Sequence, residues 1–448
     1  MSRRLVIWTA LAVLAVPGVA AAAPIDDATV TGPLTGGLRG HAQNATLIPV
    51  APRGYVEEEY LVSGQATAQD GTVAPYTTRV IVRRPVDPAK FNGTLFADWN
   101  NVTLQTDFDS LWGVSANLLM ERGYAYVSVS AQKQGVDGSP AAAKEWDPVR
   151  YAQLSHPGDA FSHDIFAQAV KAVARRLAPK KVIATGASQS GTYLGTFINE
   201  YHPIHEHLFD GYLPQVAPIQ QIRDDLVPIL WVNSESETSR GTSRATPGPK
   251  YRYWEIAGAM HGDISQANYL VATLARDQSA PLPFPGAAPY LTYEPERWNQ
   301  YGDRSRGGSC PEDLFPSRFA VNAAVIGIDR WVRGGPAPAI VPPFERDADG
   351  AVVRDADGNM KGGLRLPPMT VPVATYVGNE CSLIGRMTQF DGARLAELYP
   401  THQAYVDALR AAADKAVKQR IMLPADADNM MREAESSQIP EPGPPTPA

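Results

Sequence analysis

Cysteine is nearly absent. The chain of 448 residues holds two, Cys310 and Cys381, which leaves room for one disulfide at most. Positive charge is not in excess either: 40 Lys and Arg stand against 47 Asp and Glu, a net charge of −7. A nucleic-acid partner, which needs a basic face, is therefore not expected. Beyond the N-terminus no stretch approaches the roughly 18 consecutive apolar residues of a membrane span, so the mature chain is expected to be soluble. No internal repeat is visible, and nothing in the sequence calls for a cofactor. What is present is ordinary for a globular chain, with 44% apolar and 19% charged residues. The 37 glycines and 39 prolines assign much of the length to turns and loops. The length suits one large domain or two ordinary ones.

The N-terminus reads as a secretory signal. Arg3 and Arg4 form a short positive region, Leu5 to Val16 an apolar core too short to span a bilayer, and Ala20 to Ala23 a small-residue cleavage site. Secretion or passage to a periplasm, with removal of the signal near Ala23, is the expectation. In that oxidising compartment Cys310 and Cys381 are expected to form a bridge that closes a long loop.

Periodicity organises residues 24–276. Tyr60 to Ala66 and Tyr76 to Arg84 read as antiparallel edge strands, with β-branched residues in Thr77-Thr-Arg-Val-Ile-Val. Thr94 to Trp99, Tyr124 to Ser130, Val182 to Ala184, Phe209 to Val216, Val227 to Val232 and Tyr251 to Ile256 follow as short apolar strands. Helical spacing recurs between them, as in Leu111, Val114, Leu118 and Leu119 before the stop at Gly123. Asp159 is placed to cap the helix that carries Phe166, Val170 and Val173. Strand alternating with helix predicts a mainly parallel sheet covered on both faces, an α/β fold. After residue 276 the signal weakens. A helix is expected around Phe319 to Arg333, another over His402 to Ile421, and a disordered proline-rich tail from Ile439.

One stretch concentrates the chemistry, Lys180-Lys-Val-Ile-Ala-Thr-Gly-Ala-Ser-Gln-Ser-Gly191. A buried strand turns sharply into a helix with Ser188 at the corner, the arrangement of a nucleophile elbow. Gly186 fills the small position before the serine. Ser190 stands where the usual G-x-S-x-G pattern has its second glycine, and Gly191 follows one residue late. A serine nucleophile needs a base, and the base needs an acid to orient it. On this kind of sheet the order is Ser, acid, His, each after a different strand. Downstream, Asn233-Ser-Glu-Ser-Glu237 leaves one strand and Ala257-Gly-Ala-Met-His-Gly-Asp263 leaves the next. His261 is the expected base. Glu237 is preferred as acid, with Glu235 as the alternative. The oxyanion hole is expected from the N–H of Gln189 and from an amide of Asn100 or Asn101, after the strand Thr94–Trp99. His202, His205, His207 and Asp210 approach metal-ligand spacing, but they follow the elbow helix, away from the strand ends, and no metal is assigned. The pairs Asp347/Asp349 and Asp355/Asp357 lack a calcium loop's ligand spacing and read as turns.

These stretches together resemble the α/β-hydrolase superfamily. More narrowly, the chain resembles the bacterial secreted alpha/beta hydrolase domain-containing proteins with a G-x-S-Q-S-G elbow. Gly186-Ala-Ser-Gln-Ser-Gly191, His156-Pro-Gly-Asp159, Asn233-Ser-Glu-Ser-Glu237, Ala257-Gly-Ala-Met-His261, Gly362-Gly-Leu-Arg-Leu-Pro367 and Val371-Pro-Val-Ala-Thr-Tyr376 carry the likeness over nearly the whole mature chain. The Ser-Gln step is also similar to cutinases and to the phospholipase/carboxylesterase group, which have Gly where this chain has Ser190. The resemblance implies an α/β-hydrolase fold and a serine hydrolase, an esterase acting on small-molecule esters, and implies little about which ester.

The expectations are a signal peptide over 1–23, a hydrolase core over 24–276, a C-terminal region over 277–438 packed on the core and a tail over 439–448. The expected activity is carboxylic ester hydrolysis through Ser188, Glu237 and His261. Acyl transfer or peptide hydrolysis on the same fold, or a non-enzymatic ligand-binding role, are the alternatives. Because Val216 to Val227 leaves no room for the usual lid insertion, any cap has to come from Gln132–Gly158 or from the C-terminal region.

Overall fold

The structure, a computed structural model, describes residues 22–219, 221–240, 246–278 and 313–440. Most of the expected signal peptide, Cys310 and residues 441–448 lie outside the described residues. Cys381 is not a free thiol, but its expected pairing with Cys310 stays an expectation.

Short apolar runs with no polar alternation have to be covered on both faces. The chain satisfies this with one twisted sheet. Its strands are β1 (Thr29–Thr31), β2 (Tyr55–Thr67), β3 (Val73–Pro85), β4 (Thr94–Trp99), β5 (Ala125–Val129), β6 (Lys181–Ala187), β7 (Gly211–Gln215), β8 (Ile229–Ser234) and β9 (Tyr251–Ile256). Among the described residues they form a nine-stranded sheet in the order β1-β2-β3-β5-β4-β6-β7-β8-β9. From β5 to β9 all neighbours are parallel. β1, β2 and β3 add an antiparallel border. The two strands expected as edges are longer than their β-branched runs, and they are interior. β1 covers β2, and β3 pairs with β5.

Helices α1 (Ser110–Glu121), α2 (Ser162–Leu177) and α3 (Gln189–Thr196) link the parallel strands, and α4 (Ile264–Asp277) follows β9. α2 and α3 bury Phe166, Val170 and Leu194 on one face of the sheet. On the other face α1 and α4 bury Leu111, Leu119 and Tyr269. Asp159 does not cap α2 with its side chain. Its carboxylate instead accepts from Lys133 N at 2.8 Å and Tyr193 Oη at 3.3 Å, tying the loop before α2 to the elbow helix.

Among the described residues the connection from β7 to β8 contains no helix, so that stretch of sheet would be bare. The C-terminal region covers it. Helix α5 (Arg318–Val332) packs on β6, β7 and β8 with Phe319, Ala324, Val325 and Ile328 buried. It comes so close that a Cβ on Gly211 would stand 2.6 Å from Val332 Cγ1. α6 (His402–Gln419) and α7 (Pro424–Glu435) extend the same apolar cluster with Leu409 and Met430. Residues after 312 therefore share a core with the sheet. Ile439, expected at the head of a disordered tail, is instead buried, and its carbonyl meets His402 Nδ1 at 2.8 Å. A two-stranded hairpin of β10 (Ala374–Val377) and β11 (Arg386–Gln389) projects its connection toward the carboxyl ends of the parallel strands. Ligands of open α/β sheets bind at those ends.

Candidate active site

Ser188 sits between β6 and α3 with φ 57° and ψ −121°. This is a disfavoured conformation for a residue with a Cβ and costs on the order of 1–3 kcal/mol. It is held because strand and helix leave no other path. A Cβ on Gly186 would lie 3.0 Å from Ser190 O, and one on Gly191 would lie 2.7 Å from Ala217 Cβ. Ser190 is fully buried and accounts for the departure from the usual pattern. Its Oγ donates to Ala187 O at 2.9 Å and accepts from Ala187 N at 3.0 Å, so the side chain folds back and clips the turn. The Ser188 N–H donates to Gln215 O at 2.9 Å. Ser188 Oγ makes no hydrogen bond among the described residues, and Ser188 lines the cavity described below.

The acid and histidine stretches leave β8 and β9, two neighbouring strand ends. Glu237 and His261 meet there, with Glu237 Oε1 2.7 Å from His261 Nδ1. Burial opposes the charge of Glu237. Hydrogen bonds from His261, Ser236 and Ser234 outweigh it, and the carboxyl is held below its usual range. The second oxygen accepts from Ser234 N at 3.0 Å and Ser234 Oγ at 2.7 Å. Ser236 Oγ lies 3.3 Å from His261 Nδ1 and 2.5 Å from Glu237 Oε1, a contact that sequence reasoning missed. Glu235 does not reach the histidine. It is buried and accepts from Gly258 N at 2.7 Å, Gly378 N at 3.1 Å and Arg354 Nη2 at 2.9 Å. Burial raises its pKa, against the lowering pull of Arg354. It clamps the histidine loop to the C-terminal hairpin.

The N–H of Gln189 opens α3 beside the serine. The other expected donors are engaged elsewhere. Asn100 N donates to Val129 O at the end of β5 at 3.1 Å, and Asn101 N to Phe108 O at 2.8 Å, where the loop folds into a small bridge of its own. Asn101 contributes its side chain instead, donating to Ala187 O at 3.0 Å. The next amide, Val102 N–H, donates only weakly, to Gln189 Oε1 at 3.4 Å, and Gln189 Nε2 donates to Gln132 Oε1 at 2.9 Å. Beneath the loop, the fully buried Arg79 binds Asp107 at 2.8 Å, and Arg83 binds Asp109. Two charged anchors thus fix the loop from below.

A cavity of about 410 Å³ opens on Ser188 and His261. Its wall includes Leu104, Phe108, Val216, Met260, Leu270, Leu383 and Ile384. Val216 has φ 39°, an unfavourable conformation for a β-branched residue. Among the described residues no segment of 132–158 lines this cavity, whereas residues 381–384 of the C-terminal region do.

Of the other candidates, His202 and His207 meet edge to face with ring centroids 5.7 Å apart. His202 Nδ1 pairs with Tyr212 Oη, His205 stacks on Tyr201 at 3.7 Å, and Asp210 binds Lys181 at 2.7 Å. Asp347 and Asp355 accept from backbone amides within their own turns.

No curated protein matches the chain in sequence. Solved structures similar to this chain include the esterase Est22, at 13% identity over 52% of this chain and 81% of that chain, with a TM-score of 0.31. Brefeldin A esterase, described as a bacterial homologue of human hormone sensitive lipase, is 11% identical over 53% of this chain and 79% of its own, with a TM-score of 0.31. A prolyl endopeptidase is 12% identical over 52% of this chain with a TM-score of 0.28, and the chain spans only 34% of its length. The model of the family described as "Alpha/beta hydrolase domain" matches residues 30–432. With that match over most of its length, and with the strand order and the serine corner described above, the chain belongs to the alpha/beta hydrolase domain family.

Proposed function

We propose that this hydrolase is a serine esterase, secreted or periplasmic, that cleaves carboxylic esters through Ser188, His261 and Glu237. The observation that carries the reading is the 2.7 Å contact of His261 Nδ1 with the buried Glu237, in a loop that lines the same cavity as the strained Ser188. Glu237 fixes the tautomer, so that Nε2 is free to take a proton. The Ser188 hydroxyl adds to the ester carbonyl as His261 accepts its proton, and the oxyanion rests on Gln189 N–H. Val102 N–H is the second donor in this reading, since the amides of Asn100 and Asn101 are occupied. His261 then protonates the leaving alkoxide. Water, activated by the same imidazole, releases the acid and restores Ser188. Each half-reaction balances with no cofactor.

Ser188→Ala is expected to abolish hydrolysis of a simple aryl ester while leaving the thermal transition in place. Undiminished turnover refutes the assignment. Added alcohol separates hydrolysis from acyl transfer by the ester it yields, and a peptide anilide panel tests the peptidase alternative. Secretion rests on Arg3, Arg4 and the apolar run Leu5–Val16. N-terminal sequencing of exported protein is expected to begin near Pro24. Retention of Met1 in the exported chain contradicts it.

A further inference from the structure

We infer that the connection of the β10–β11 hairpin, residues 378–385, is the specificity wall of this site, and that it selects esters whose buried part is apolar and uncharged. The inference rests on the proposed serine-esterase reading for the chemistry, but the wall itself stands on packing. Leu383 and Ile384 line the cavity together with Leu104, Phe108 and Leu270. Among the described residues that line it, none is Asp, Glu, Lys or Arg. A charged substrate group would be buried there without a partner, which costs several kcal/mol. Leu383 lines the cavity and is 41% exposed, so a bound alkyl chain would cover it.

The connection is bolted to the catalytic loop rather than left free. Leu383 O accepts from His261 N at 3.3 Å, and Asp313 N donates to Ile384 O at 3.2 Å. Gly378 N donates to Glu235, and Gly378 packs so tightly on Ala259 that any side chain there would strike its carbonyl. Cys381 and Ser382 have φ 51° and 64°, left-handed conformations that turn the chain just before Leu383. A wall tied to the histidine loop at Ala259 and His261 reads substrate length without a moving lid. The cavity, at about 410 Å³, falls within the roughly 300–1,000 Å³ of small-molecule sites.

The test uses the full chain with Leu383→Ala, Leu383→Trp and Leu383→Asp. For p-nitrophenyl esters from acetate to decanoate, kcat/KM is expected to rise about 4-fold per methylene until the cavity is filled, the value of one buried CH2. Leu383→Trp is expected to stop the rise at a shorter chain and Leu383→Asp to flatten it. A second readout avoids the chemistry. In Ser188→Ala, the uncharged dye Nile red is displaced by straight-chain alcohols, and the same substitutions are expected to move the chain length at which affinity levels off. A plateau independent of residue 383 in both assays overturns the wall. Shifted alcohol binding without any ester turnover supports the wall and overturns the esterase reading alone.

Discussion

At the scale of single residues, two neighbouring glutamates have been given opposite tasks by what surrounds them. Glu237 faces His261 and stays ionised. Glu235 faces two glycine amides and Arg354 and holds loops together. Glu237→Gln is expected to lower kcat by about 10⁴ with little change in KM, as when a triad acid loses its charge. Glu235→Gln is expected to lower the melting temperature, with a smaller effect on kcat. Steady-state kinetics beside thermal unfolding distinguishes the two. The depressed pKa of Glu237 also gives a pH sign. Its folded value lies below the unfolded one, so its contribution to stability is present above the unfolded pKa and is lost as pH falls through the folded value. Ser190 makes a similar local point. Ser190→Gly restores the commoner pattern but removes both hydrogen bonds to Ala187, and is expected to cost roughly 1 kcal/mol in urea unfolding while preserving turnover. From sequence Ser190 reads only as a departure, because the partner of a buried hydroxyl is invisible there. The same holds for the choice between Glu235 and Glu237, which depends on which side of the β8 end the turn presents.

At the scale of elements, β4 carries a titratable group in the core. Asp98 is fully buried, accepts from Tyr126 Oη at 2.6 Å and Leu111 N at 3.0 Å, and is pushed up to about 7 by burial. Its folded pKa lies above the unfolded value near 3.8, so the folded state holds the extra proton between them. This group's contribution to stability therefore falls as pH rises from about 4 to about 7. Asp98→Asn is expected to leave the melting temperature unchanged at low pH and to raise it at pH 8, by the order of a few kcal/mol of unfolding free energy. An equal shift at both pH values contradicts the account. Elements with one dense apolar run were readable to the residue: Thr94–Trp99 and Tyr251–Ile256 have the predicted bounds. β10 and β11 were not, since four-residue strands show no period and their partner lies across a turn. α7 was missed because its sequence, with Asp426, Asp428 and Glu433, is mostly polar and only Ala427, Met430, Met431 and Ala434 are buried.

At the scale of the whole molecule, the C-terminal third is part of the fold rather than an appendage. α5 covers the part of the sheet left bare by the β7–β8 connection, and residues 381–384 wall the cavity. A chain ending at Asp277 would expose the apolar face of β7 and β8 and lose Leu383 and Ile384. It is expected to be insoluble or to bind a hydrophobic dye strongly, and a soluble, cooperatively unfolding fragment with full ester selectivity contradicts this. The sequence pattern carried the parallel sheet, the serine corner and the order Ser188, Glu237, His261. It did not carry the role of residues 313–440, whose contacts with the sheet join positions far apart in sequence, such as Trp254 with Ala339 and Gly211 with Val332. Nor could it tell which amide after β4 is free, since that depends on the small bridge between Asn101 and Phe108.

The central claim is that Ser188 is a nucleophile activated by His261. Reaction of the full chain with a fluorophosphonate, followed by peptide mass analysis, tests it most directly. The account predicts one phosphonyl adduct per chain, on Ser188, whose formation slows at least 100-fold in His261→Ala. An intact Ser188 peptide, or labelling that is indifferent to His261, would contradict it.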